Sequence, residues 1–190
     1  MELVGKNIRL RSLEKPDLSK MVNWNRDSEI QYYVDCDLPD NLVELERWFN
    51  ENISDRYYRI FVLETFDNQV IGDLELDHIC WSKFEAELRI RIGEKDYWGK
   101  GLGSESIQLI LNYLFEEKSF KRIYLRVYHF NRRAIRCYMQ NGFKQIGVLQ
   151  RKTENWKDII LMEVTPVQFK KAKLKMMNCD SEKYFKQNFA

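Results

Sequence analysis

Asn131-Arg132-Arg133-Ala134-Ile135-Arg136-Cys137-Tyr138-Met139-Gln140-Asn141-Gly142-Phe143 follows a strand-like run and reads as a short helix over 132–140. Asn141-Gly142 supplies the left-handed cap that ends such a helix. Ala134, Ile135 and Tyr138 stand at i, i+1 and i+4, and Asn131 at i−3, so all four share a helix face. An amide and a phenol therefore lie side by side, a polar grip on an otherwise apolar stripe.

Forty positions before Tyr138 begins the second informative stretch, Trp98-Gly99-Lys100-Gly101-Leu102-Gly103-Ser104. It joins a strand expected at 85–92 to an amphipathic helix expected at 103–116, whose apolar stripe is Ile107, Ile110, Leu111, Leu114 and Phe115. A glycine-rich loop there places bare backbone N–H groups at the positive end of a helix dipole, which suits a phosphate. Lys100 adds a mobile charge, and Ser104 can cap the helix or donate to a phosphate oxygen. The spacing is neither the dinucleotide Gly-x-Gly-x-x-Gly nor the P-loop Gly-x-x-x-x-Gly-Lys-Ser/Thr. Alone, the loop reads equally as a tight turn feeding a helix.

Outward from these motifs the chain alternates elements without repeats, low complexity or a linker. Ile8 to Leu13 alternates as a strand, and Leu18, Met21, Val22 and Trp24 follow Pro16 at helical spacing. A helix from about position 40, capped by Asp40, carries Leu42, Leu45, Trp48 and Phe49 on one face. Strands at 58–64 and 70–79 flank the turn Asp67-Asn68-Gln69 as a hairpin. Strands at 122–128, 143–148 and 158–164 complete the pattern. The hairpins call for antiparallel pairing, whereas the strand-helix-strand over 85–128 calls for a parallel crossover, so the sheet should be mixed. The expected division is one α/β domain over 1–165 and a basic tail over 166–190, helical or partly frayed.

Composition narrows the function. Thirty-one basic against 29 acidic residues leave a net charge of +2, which makes no electrostatic case for nucleic acid. Six lysines gather in the tail (Lys170, Lys171, Lys173, Lys175, Lys183, Lys186), either a solvated helix or a dock for an acidic partner. No apolar run approaches the ~20 residues of a membrane span, and Met1-Glu2-Leu3 shows no leader, so neither membrane nor export is expected. The cysteines (Cys36, Cys80, Cys137, Cys179) are scattered and joined only by His78 and His129. Free thiols in a cytoplasm, and no metal site, are expected.

The two motifs in this order and at this distance resemble the GNAT acetyltransferase superfamily over roughly 7–164, on the branch of RimJ/RimL-type and spermidine acetyltransferases. The resemblance implies an α/β (α+β) fold with a mixed, mostly antiparallel central sheet flanked by helices on both faces. It also implies transfer of an acetyl group from acetyl-CoA to a primary amine, on a small molecule or a protein N-terminus, by direct attack in a ternary complex; a homodimer is compatible with it. By resemblance the amides of Trp98, Gly99, Lys100, Gly101, Leu102, Gly103 and Ser104 wrap the pyrophosphate. The strand Ile90-Arg91-Ile92 lies along the pantetheine arm and faces the thioester oxygen, Asn131 holds the arm beside Ala134, and Tyr138 is the general acid. Trp98 departs from the Gln or Arg usual at its position, a change a backbone-binding loop tolerates.

Glu87 is a candidate base or amine-binding group. Yet Glu87, Arg89 and Arg91 on one strand, and Asp73, Glu75 and Asp77 on the one before, can equally pair as surface ions across the hairpin. A water chain could serve as the base instead. Cys137 turns about 100° from Tyr138 on the helix and has no nucleophilic task in direct attack, and His129 reads as a packing or surface histidine. The reading from another class is a CoA-binding module without turnover.

Overall fold

The computed structural model describes residues 2–34, 38–150 and 157–188, with side chains as far as 178. Its strands are β1 (Glu2–Val4), β2 (Ile8–Ser12), β3 (Arg59–Thr65), β4 (Val70–Cys80), β5 (Glu85–Ile92), β6 (Arg122–Tyr128), β7 (Lys144–Leu149) and β8 (Ile159–Val164). They form one sheet in the order β1-β2-β3-β4-β5-β6-β8-β7. Every neighbouring pair is antiparallel except β5 and β6, which run parallel because a helical crossover joins them. The sheet is therefore mixed and mostly antiparallel.

Helices cover both faces: α1 (Leu18–Arg26), α2 (Ser28–Tyr33) and α3 (Leu42–Asn52) come before the β3–β4 hairpin, and α4 (Leu102–Asn112), α5 (Arg132–Gln140) and α6 (Pro166–Asn188) after it. Strand β3 shows why two layers are needed. Ile60 and Val62 join Leu18, Met21, Leu45 and Phe49 in one buried cluster, while Phe61 and Leu63 join Ile107, Ile110 and Leu111 in the other. A strand buried on both faces loses the polar-out half of its alternation.

Boundaries moved where a cap or turn competed with periodicity. Pro16 sits in a short 3₁₀ turn, Lys15–Asp17, ahead of α1. The cap of α3 is Asn41, whose Oδ1 accepts from Glu44 N at 2.9 Å, and not Asp40. A π turn, Tyr113–Glu117, extends α4. Neither β1 nor α2 was anticipated; α2 is six residues capped by Asp27, too short to show a period. Helix α5 spans the expected residues and ends as expected, with Gly142 at φ 92° and Phe143 N donating to Tyr138 O at 3.1 Å. Past Thr165 the chain stays on the domain: Phe169 is buried in the α4-side cluster, its ring 5.8 Å from that of Phe115. Among the described residues no helix is long and apolar enough to cross a membrane.

The feature that positions the site is a parting in the sheet. Strands β5 and β6 pair only through Glu85↔Arg122, Ala86↔Ile123 and Glu87↔Tyr124. Beyond Glu87 both strands continue, β5 to Ile92 and β6 to Tyr128, unpaired with each other. The β6-facing edge of β5 over 88–92 is thus open backbone.

Candidate active site

At the head of α4, Gly99 and Gly101 adopt φ of 75° and 82°, the left-handed region that favours glycine. A Cβ built on either meets nothing within 4 Å, so both point bare main chain into open space. Gly101 is the N-cap, and its carbonyl accepts the first helical bond from Glu105 N at 3.1 Å. The amides of 102–104 consequently have no partner inside the helix. Ser104 Oγ accepts from Asn141 Nδ2 at 2.8 Å, which leaves its own proton for another acceptor. Leu102, by contrast, turns its side chain into the core.

Trp98 is more than a spacer. Its indole Nε1 donates to Ile92 O at 2.8 Å and ties the loop to the end of β5. The guanidinium of Arg133 lies 3.9 Å over the Trp98 ring, and the Tyr33 ring meets it edge-on at 6.2 Å. Lys100 turns away: its ammonium stands 5.1 Å over the Tyr97 ring and does not line the cleft. Arg133 and Arg136, which sequence reasoning passed over, line it instead. Their positions beside Ala134 on α5 were the available signal. This cleft, about 360 Å³, also takes in Gly99, Gly101, Gly103 and Ser104.

A second cavity of about 440 Å³ adjoins it. Tyr33, Val34, Ile90, Arg91, Asn131, Ala134 and Tyr138 line both, so the two spaces meet where β5 leaves β6. Tyr138 is buried, its ring 5.6 Å from that of Phe143, and its hydroxyl makes no hydrogen bond among the described residues. Burial first, and Cys137 second, push its phenol above the ordinary value, so it stays protonated. Asn131 has both amide ends engaged: Oδ1 accepts from Ala134 N at 3.2 Å, and Nδ2 donates to Tyr33 O at 3.3 Å. Its side chain positions the start of α5 against the end of α2.

The second cavity is charged. Asp73, Glu75, Glu87 and Arg91 are buried, which corrects the expectation of surface ion pairs. Asp73 is clamped by Arg91, at 2.9 Å from Nε and 2.6 Å from Nη2, and Arg91 Nη1 also donates to Asn25 Oδ1 at 2.6 Å. Asp77 takes Arg89 Nη2 at 2.8 Å. Those two pairs do cross the hairpin as the strand faces suggested. Glu87 pairs instead with β6: Arg126 holds it at 2.7 Å through Nε and 3.2 Å through Nη2. Glu75 is left with Arg89 Nη1 at 3.7 Å as its nearest cation, and the Tyr58 hydroxyl lies by it short of hydrogen-bond geometry. Burial, then the Asp73 carboxylate, raise Glu75 from 4.5 to about 7. Sequence reading took Glu75 only as one of a row.

The minor candidates fall away on geometry. Burial pushes the Cys137 thiol up to about 11, which keeps it protonated. His129 lines neither cavity and rests edge-on against Phe130. No cluster of His, Cys, Asp or Glu among the described residues could hold a metal.

Comparison with known proteins bears on this geometry. Residues 7–144 match the family described as "Acetyltransferase (GNAT) domain". The spermidine N(1)-acetyltransferase of Vibrio cholerae is 32% identical over 146 residues, 77% of this chain and 84% of that protein. Its Escherichia coli K12 counterpart is 30% identical over 146 residues, 77% of each. A crystal structure of the Vibrio enzyme "in complex with CoA and spermine" superposes with a TM-score of 0.80 at 30% identity, covering 86% of this chain and 98% of that one. A glycine-lined helix mouth, an open strand edge and a buried phenol where two cavities join stand together in a chain of that family, whose members draw on acetyl-CoA. The chain belongs to the GNAT acetyltransferase family and is an acetyl-CoA-dependent N-acetyltransferase.

Proposed function

We propose that the amine this enzyme acetylates is a polyamine of the spermidine or spermine class. The observation that carries the reading is the union, at Tyr138, of a cleft walled by the glycine loop with a cavity walled by Asp73, Glu75 and Glu87. Asp77 adds a fourth carboxylate behind Arg89, against the arginines Arg89, Arg91 and Arg126. The lining itself is balanced, three carboxylates against three guanidiniums, but Glu75, whose nearest cation stands 3.7 Å away, is left to receive a substrate ammonium. The names of the related Vibrio and Escherichia enzymes point the same way.

In this reading the amides of 99–104 hold the diphosphate, with Arg133 and Arg136 at the rim, the Trp98 amide expected there being spent on Lys95 O at 2.9 Å. The open edge of β5 over 90–92 lies along the pantetheine as an added strand would. One of its N–H groups faces the thioester oxygen, where negative charge develops. The carbonyl of Ile92 is already taken by Trp98, and Gly93 N donating to Ile71 O sets a register in which Arg91 turns its main chain to β4, so Ile90 carries most of that edge. Tyr138 gives its proton to the departing sulfur. Glu87, its charge balanced by Arg126, holds the far side of the amine cavity. Free thiols at Cys80 and Cys137 suit a cytoplasmic setting.

The test is thiol release from acetyl-CoA across a panel holding spermidine, spermine, an aminoglycoside, glucosamine and peptides with free N-termini. Spermidine or spermine should have the highest kcat/KM. A peptide or amino sugar ahead of both would refute the polyamine assignment. Thermal stabilisation by acetyl-CoA without release to any amine would leave a CoA-binding module and no enzyme.

A further inference from the structure

We infer that Glu75, on β4, is the carboxylate that takes the proton from the substrate ammonium, and that Glu87 is not. The inference rests on amine acetylation as just described and adds the identity of the proton acceptor.

The three carboxylates walling the amine cavity differ in what opposes their charge. Asp73 and Glu87 are each held by two guanidinium nitrogens of one arginine, at 2.6–2.9 Å and 2.7–3.2 Å. Each of those carboxylates is already committed to a fixed counter-ion with which a substrate ammonium would have to compete, and at Asp73 burial outweighs Arg91 and raises the carboxyl above its ordinary value. Glu75 has no such clamp. Arg89, its nearest cation, spends Nη2 on Asp77 and stands 3.7 Å away through Nη1. The groups facing Glu75 are Asp73 and Asp77 along β4, Arg89 and Arg91 across on β5, and the Tyr58 hydroxyl ahead of β3. Two of these are negative and close on the same strand face, and the Glu75 carboxyl is buried. Both conditions favour a carboxyl that can accept a proton at neutral pH, and Glu75 is raised to about 7.

The protons balance. An alkylammonium with a pKa near ~10 delivers one proton to Glu75, which passes it to solvent, and the freed lone pair attacks the carbonyl carbon. The N–C bond forms and the C–S bond breaks. Sulfur takes the proton of Tyr138, and the second proton leaving nitrogen restores the phenol. Net, one proton is released for each amide and thiol formed.

The experiment is the pH profile of kcat/KM for spermidine with wild type, E75Q and E87Q, beside thermal melts of each. Wild type should show a rise through an apparent pKa near 7. E75Q should lose that rise and about 100-fold or more in kcat, while melting at a higher temperature than wild type at pH 8, because it removes a poorly opposed buried charge. A merely structural Glu75 would give the opposite melt. E87Q should keep the rise, whatever its rate. If E75Q does not fold, E75D should keep a rise but with a displaced midpoint and lower kcat. A wild-type profile flat between about pH 6 and 8, or an E75Q profile like wild type, overturns the assignment with acetylation intact. Wild type inactive on every amine removes the acetylation reading and this one together.

Discussion

Tyr138 and Glu75 line one cavity as buried groups, and burial moves both the same way: each holds its proton more tightly than in water. For a phenol that is the state an acid needs; for a carboxyl it is the state a base can use. Tyr138→Phe should lower kcat by about 100-fold while the acetyl-CoA Kd, read by calorimetry, stays within about twofold, since in the proposed mechanism the hydroxyl serves only the developing thiolate. Asp73→Asn tests the electrostatics. It removes the neighbour that raises Glu75 and frees Arg91 to act on it, so the acid limb of the rate profile should move to lower pH. The same variant leaves a buried guanidinium short of its counter-ion and should cost about 3 kcal/mol in denaturant melts. Linkage has a definite sign here. Folded Glu75 binds its proton more tightly than the unfolded chain does, so its contribution to stability grows as pH falls from about 7 towards 4.5. In E75Q that slope should vanish.

The elements that carry chemistry were the legible ones. Helix α5 runs over the expected residues because its cap, its apolar stripe and its Asn-Gly stop all lie within thirteen positions of sequence. The head of α4 was legible for the same reason, and Gly101→Val should put a branched side chain into the diphosphate path at φ 82°, abolishing acetyl-CoA binding by calorimetry. What sequence could not show was which strand faces are covered. Alternation put Asp73, Glu75 and Asp77 on one side of β4, but α1 and Tyr58 close over that side only in three dimensions, so a buried cluster read as surface pairs. The partner of Glu87 was hidden likewise, because Arg126 stands 39 positions along the chain and reaches it only across a parallel crossover. Short α2 and β1 carried no period to read. Arg133 and Arg136 were passed over in favour of Lys100 because a loop lysine looked nearer in sequence than it stands in space.

For the molecule as a whole, the two layers are of unequal origin: chain before β4 covers one face, and chain after β5 the other. The tail sequence is lysine-rich, yet its first turns close the second layer. Phe169→Ala should cost about 3–5 kcal/mol in urea unfolding, the loss expected of a core aromatic and not of a solvated appendage. A cost below ~0.5 kcal/mol would make the segment past 165 an appendage after all.

Only three backbone rungs pair the left arm of the sheet with the right, with the Glu87–Arg126 and Glu85–Arg122 ion pairs beside them. Whatever lies in the wedge beyond them, and grips both sides, acts as a fourth rivet, so the donor is also a brace. Spent CoA must then be prised from a joint it has been helping to close. Amide hydrogens along 88–92 and 125–128 should exchange more slowly with CoA bound and revert on its removal, and protection confined to the helix mouth would show that the arms never needed it.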